Sequence, residues 1–174
     1  MKTAEDIVRF YSGTGTDDRG RTLKEIQEWP DDSLEDVHDF IQWMFPLVER
    51  SGANPDAPTL DPAAISRFRS DSELQQNLYR SFVRMLGFYG LEMRTGHQIN
   101  VIPDKKERVM QWMWPGNHNY LRITRILKSL SLLGLENDAR GLFDCLSEMY
   151  AAQDAHSPLI PTQTFRFWKA AVDG

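Results

Sequence analysis

The chain carries a single cysteine, Cys145, among its 174 residues. No intrachain disulfide can form, and no cysteine cluster can hold a metal. No stretch approaches the roughly 18 to 20 consecutive apolar residues of a membrane span. The opening MKTAEDIVRFYSG lacks the long apolar core of a secretory signal. The expectation is a soluble, cytoplasmic protein with no membrane insertion. Basic charge is not in excess either: 20 Lys and Arg stand against 25 Asp and Glu, a net charge of -5. That balance argues against a general nucleic-acid binder. Repeats, heptad runs and low-complexity segments are missing.

Catalytic and metal signatures are equally scarce. There is no HxxxH or HExxH spacing and no nucleophile elbow. Gly13-Thr14-Gly15 has no strand before it and no Gly-Lys-Ser/Thr after it, so it reads as a flexible turn and not a phosphate cradle. His38 and Asp39 with His118 have a metal-site composition but no ligand spacing. Asp31-Asp32 and Glu35-Asp36 sit at a predicted helix start, where they suit the helix dipole. No enzymatic activity, cofactor or metal is expected. A basic face including Arg80, Arg84, Lys105 and Arg108 reads as solvated helix surface.

What is present is ordinary globular material: 41% hydrophobic and 26% charged residues, enough for one domain over residues 1–174 with a substantial core. Nearly every segment has helical spacing, so the predicted class is all-α, a single compact multi-helix domain. Its organising stretch is WPGNHNYLRITRILKSLSLLG, from Trp114 to Gly134. Pro115-Gly116 makes a turn, Asn117 is a good N-cap, and Gly134 supplies a stop. Tyr120, Ile123, Ile126, Leu127, Leu130 and Leu133 share one broad face at about 100° per residue. Arg122, Arg125 and Ser129 lie opposite, with Leu121 and Leu132 beside them. A helix of about 117–133 with apolar residues on two sides is predicted to be central and packed on both.

In chain order, Thr3 caps a helix from Ala4 to about Tyr11, and residues 12 to 21 read as a mobile loop. Thr22 and Glu25 have capping-box spacing for a helix through Trp29-Pro30. Ser33 and Asp36 repeat that spacing ahead of Leu34, Val37, Phe40 and Ile41, in a helix stopped at Pro46. Asp61-Pro62 opens a short helix to about Arg69, and Asp71 or Ser72 a longer one ending near Gly90, with Leu74, Leu78, Phe82, Met85 and Leu86 buried. Ile99 to Ile102 has brief β character, either a short strand or an extended connector. Asp104 opens a helix whose Val109, Met110, Trp112 and Met113 face the core. Two more helices follow, about Asn137 to Ala152 and one capped by Thr162 with Phe165, Phe167 and Trp168. Cys145 falls in an apolar helical run and reads as a buried thiol. Trp112 and Trp114 lie on different helical faces, so one of them is expected to be partly exposed.

The pairing of FIQWMFPL at Phe40 to Leu47 with NHNYLRITRILKSL at Asn117 to Leu130 resembles the conserved region of the opioid growth factor receptor family. YRSFVRMLGFYGLEM, Tyr79 to Met93, is similar to that family's middle helix, and Gly134-Leu135-Glu136 follows as expected. The resemblance runs from about Phe10 to Leu146. It implies an all-helical domain and, in animal members, an intracellular, perinuclear receptor for an enkephalin-type opioid peptide. The long tail, repeats and basic localisation run of animal members have no counterpart, which fits a compact, short form.

Polar residues within the most distinctive motif are the candidate site. His118, Asn119, Arg122 and Arg125 are the ligand candidates, with Trp43 and Tyr120 for apolar contact. Two guanidiniums near a helix N-terminus suit an anion or a peptide carboxylate. Alternatively they pair with internal carboxylates such as Asp36 or Asp39 and tie helices together. The expected function is therefore a non-enzymatic module binding a peptide or small ligand beside the central helix. The alternative is a protein–protein adaptor with no small ligand.

Overall fold

The computed structural model describes residues 2–174. Ten α-helices, two single-turn 3-10 helices and one two-stranded hairpin account for its regular structure among these residues. The all-α class predicted from spacing is what the chain adopts, apart from this small hairpin. Its residues group into two compact units: Met1–Arg84 with Leu132–Gly134, and Met85–Ser131 with Leu135–Gly174.

The first unit starts with α1, Ala4–Tyr11. The Asp6 carboxylate accepts the Thr3 backbone N–H at 2.8 Å, closing the first turn. Ile7, Val8, Phe10 and Tyr11 are buried on its inner side. The following loop is pinned by Asp17, which is only 2% exposed. Its Oδ1 accepts the backbone N–H of Arg19 and Arg21, and its Oδ2 accepts Arg21 Nε at 2.7 Å. A segment expected to be a mobile loop is thus held by one buried carboxylate. Helix α2, Leu23–Gln27, has the expected Thr22/Glu25 capping box.

The single helix expected after Ser33 is instead two. Helix α3 spans Asp31–Asp36 and α4 spans Ile41–Met44. Ser33 lies inside α3, whose first turn holds Asp31 and Asp32 where the dipole favours them. Val37 is extended, with φ -90° and ψ 128°, and ends that helix. The break re-aims the chain so that residues 41 to 47 are all buried. Trp43 meets Phe10 edge-on at 5.4 Å, while Tyr11 meets Phe68 at 4.9 Å. Helix α5, Pro62–Ser70, is capped by Asp61, whose Oδ1 accepts the Ala64 N–H at 2.8 Å. Helix α6, Ser72–Tyr89, buries the predicted Leu74, Leu78, Phe82, Met85 and Leu86.

In the second unit, β1 (Leu91–Met93) and β2 (Ile99–Val101) pair antiparallel, with Leu91 opposite Val101. Ile99 to Val101 is therefore strand and not connector, and Leu91 to Met93, just past the predicted helix end near Gly90, is its partner. Helix α7, Lys106–Trp112, buries Val109 and Trp112 but leaves Met110 53% exposed, contrary to the predicted core face. Helices α8, α9 and α10 span Asn119–Leu133, Glu136–Ala152 and Thr162–Asp173. The core is an aromatic ladder. Tyr89 meets Trp112 at 5.4 Å, Trp112 meets Tyr120 at 6.3 Å, and Tyr120 meets Trp168 at 5.4 Å, all edge-on. Polar atoms lock the two outer rungs: Trp112 Nε1 donates to the Tyr89 carbonyl at 3.0 Å and Trp168 Nε1 to the Tyr120 carbonyl at 3.2 Å. No helix among the described residues is long and apolar enough to cross a membrane.

Candidate functional site

Helix α8 begins at a tight corner. Gly116 takes φ +85°, and the Asn117 N–H donates to the Trp114 carbonyl at 3.2 Å. A positive φ of this size favours glycine over any residue with a Cβ. Asn117 then turns its side chain back, its Oδ1 accepting the Asn119 N–H at 2.8 Å. This is the capping role its sequence position predicts.

From here α8 is packed on nearly every side, but the pattern differs from the sequence expectation. Ile123, Ile126, Leu127, Leu130 and Leu133 are buried as predicted. On the polar side, Arg122 is 5% exposed and Ser129 fully buried, whereas Leu121 is 73% exposed. The accessible strip is built from His118, Leu121, Arg125 and Lys128, at i, i+3, i+7 and i+10, which share a narrow face of an α-helix. Leu121 and Lys128 are exposed; His118 and Arg125 are half-buried.

Beneath that strip lies a polar cluster. Asn119 has no exposed surface. Its Oδ1 accepts the Tyr89 hydroxyl at 3.4 Å and Arg122 Nη1 at 3.3 Å, and its Nδ2 approaches His118 Nε2 at 3.4 Å. A buried guanidinium is stable only when its donors are met, so Arg122 is anchored from below. Arg125, half-buried, lies one turn on from Leu121 on the same face.

The two predicted apolar contacts are placed inside. Tyr120 is 4% exposed and donates its hydroxyl to the Leu159 carbonyl at 3.0 Å. Burial pushes its phenol up to about 12. Trp43 is in the first unit, fully buried, with Nε1 donating to Asp18 Oδ1 at 3.1 Å. Neither ring offers surface to a ligand. Asp39, one carboxylate suggested as partner for the α8 arginines, is engaged by Arg21 Nη2 at 2.7 Å and Arg19 Nε at 3.1 Å. Trp114 is the exposed member of its tryptophan pair at 49%, with Trp112 at 2%. No group of three or more His, Cys, Asp or Glu side chains able to hold a metal occurs among the described residues.

Sequence reasoning missed a second polar site. His97 takes φ +62° and places Nδ1 2.7 Å from Asp138 Oδ1. They are 41 residues apart, so no local pattern could pair them. The one available signal was Gly141, a glycine inside an apolar helical run.

The opioid growth factor receptor conserved region matches residues 4–169 of this sequence. The chain belongs to that family. Among curated relatives, the opioid growth factor receptor of Homo sapiens is 45% identical over 116 residues, 64% of this chain and 17% of that protein. That of Rattus norvegicus is 42% identical over 123 residues, 68% of this chain and 21% of that protein. Opioid growth factor receptor-like protein 1 of Xenopus tropicalis is 39% identical over 122 residues, 68% of this chain and 23% of that protein. The chain thus spans about a fifth of the length of these relatives. No solved structure matches it significantly. These relatives are named as receptors, and the family region includes the whole of α8 with its outer strip.

Proposed function

We propose that this domain is a non-enzymatic peptide-binding module whose contact surface is the outer strip of α8. The observation that carries the reading is Leu121, 73% exposed on a helix otherwise packed almost all round. An exposed leucine flanked by cationic side chains suits a peptide that offers an apolar group beside a carboxylate. Leu121 would take the apolar group, and Arg125 with Lys128 would hold the carboxylate, the guanidinium in fork geometry. His118 would orient a polar group at the helix start. Asn119 and Arg122, buried beneath, hold that surface in place, and Tyr120 anchors the start of the helix through its bond to the Leu159 carbonyl. The relatives' name as opioid growth factor receptors points to an opioid peptide of the enkephalin type as the first ligand to try.

A protein–protein adaptor role is favoured by one separate observation: Met110 and Trp114 are about half exposed in the same unit. Calorimetric titration with Met-enkephalin and a scrambled peptide separates the two. The expected result is sequence-dependent heat from the wild type, weakened about tenfold or more (about 1.4 kcal/mol) by Leu121→Ser and by Arg125→Met. No heat from a folded wild type would defeat the peptide reading and leave the adaptor role.

A further inference from the structure

A cavity of about 420 Å³ lies in the second unit, away from the α8 strip in sequence, between the hairpin loop and one face of α9. Its helical wall is a single stripe that includes Arg140, Gly141, Asp144, Cys145 and Glu148. Three features place His97 at this cavity. Its backbone occupies the left-handed region, φ +62°, uncommon for a residue with a side chain and a recurrent mark of functional loops. Gly141 lets that loop approach closely, because a Cβ there would stand 1.9 Å from the His97 carbonyl oxygen. The ring is fixed through Nδ1 by Asp138, itself 4% exposed. A carboxylate on Nδ1 sets the tautomer with the proton on that nitrogen, leaving Nε2 with its lone pair. The imidazole is half exposed.

The charge around it has a sign. Arg140 is engaged by Asp173 at 3.3 Å and by the Val172 carbonyl at 3.1 Å. Asp144 and Glu148, four residues apart on α9, add two carboxylates to the lining. Burial and the charge of Glu148 push the Cys145 thiol up to about 11, so the sulfur stays protonated and adds no anion of its own. A basic nitrogen acceptor, two carboxylates and a volume within the usual range for small-ligand sites together suit a cation carrying N–H donors.

We propose that this cavity binds an alkylammonium or alkylguanidinium group, its N–H donors directed to His97 Nε2 and its charge held by Asp144 and Glu148. That chemistry is shared by a free amine and by a basic side chain of a peptide. The site uses none of the α8 residues, so its failure leaves the peptide-binding reading standing, and the reverse also holds.

The test is titration of the full chain by two-dimensional NMR, following the His97 ring nitrogens, with agmatine, with N-acetylarginine amide, and with tetramethylammonium, which has no N–H donor. Saturable shifts of Nε2 with agmatine or the arginine amide, and none with tetramethylammonium, are expected. The stronger of the first two tells whether a free amine or a peptide side chain is the better fit. His97→Asn keeps a residue that tolerates positive φ and can donate to Asp138, but removes the ring acceptor. Followed through the backbone amides of the cavity lining, since the variant has no ring nitrogens, binding should weaken at least tenfold with an unchanged melting temperature. Asp144→Asn with Glu148→Gln should weaken it similarly. Absence of saturable binding, equal binding of tetramethylammonium, or full affinity in folded His97→Asn would overturn the proposal.

Discussion

Asn119 shows how much a single side chain carries at the start of α8. It is fully buried, and its one oxygen receives both the Tyr89 hydroxyl and Arg122 Nη1. Truncation removes one acceptor from each of two buried donors, one of them cationic. Each such loss costs about 1–3 kcal/mol. Asn119→Ala is therefore expected to lower the unfolding free energy by at least about 2 kcal/mol, read from the urea midpoint at constant slope. A variant as stable as the wild type would mean that the cluster is loosely satisfied. The same residue marks the limit of sequence reading. Spacing placed Arg122 and Leu121 near each other on the helix, but not which of them faces water. A hydropathy argument exposes the arginine and buries the leucine, and the fold does the opposite because Asn119 supplies a buried partner for the guanidinium.

A second residue-scale consequence concerns acid. For Asp39, burial alone would raise the carboxyl. Hydrogen bonds and charge from Arg21, then from Arg19, more than offset that and hold it below the ordinary carboxylate value. A carboxyl depressed in the folded state adds stability above its unfolded value, about 3.9. That stability is lost as pH falls through the lower folded value. Asp39→Asn should lower stability near neutrality and flatten its fall in acid below about pH 4. Parallel thermal melts from pH 7 to pH 2 check this. Identical pH slopes in the two chains would remove Asp39 from the acid response.

The end of α8 falls where the sequence says it should, though not by the device it suggests. Gly134 was expected to stop α8, and it does take φ +102°. The last carbonyls, however, are met by side chains from earlier in the first unit. Arg69 Nη1 donates to the Leu132 carbonyl at 2.9 Å, and Gln75 Nε2 donates to both the Leu133 carbonyl at 2.5 Å and the Phe68 carbonyl at 2.6 Å. Gln75 thus closes the ends of α5 and α8 together. Gln75→Ala should cost about 1–3 kcal/mol and speed amide exchange at Gly134 and Leu135. Unchanged exchange there would show that glycine alone terminates the helix. Capping was the most legible feature of the chain: Thr22 with Glu25, Asp61 before Pro62, and Asn117 all act as their spacing predicts. Breaks were the least legible. Val37 is β-branched but sits in a helical pattern, and only the burial of Phe40 to Leu47 explains why the chain turns extended there. Likewise β1 could not be seen, because three residues past the helix end near Gly90 are too few to show a period and become a strand only by pairing with β2.

For the whole molecule, the sequence predicts one domain, while the residues group into two compact units. Two of the three longest helices, α6 and α8, contribute residues to both units. A helix is cooperative along its length, since each turn supplies the hydrogen-bond partners of the next. Melting the first unit would therefore fray Ser72 to Arg84 and the last turn of α8, helices whose remaining turns belong to the second unit. We propose on this ground that the chain unfolds as one domain. Calorimetry should give a single transition whose enthalpy, on the order of 120 kcal/mol at 0.7 per residue, equals the van't Hoff value. Native-state hydrogen exchange gives the sharper reading, because it resolves each unit. The slowest amides of α1 (Ile7, Val8) and of α9 (Leu142, Leu146) should reach the same opening free energy, that of global unfolding. Two ceilings separated by more than about 1 kcal/mol, beyond the scatter expected of one cooperative unit, would instead make the units independent domains. In that case the residues of α8 that carry the proposed contact strip would be governed by the second unit's stability alone.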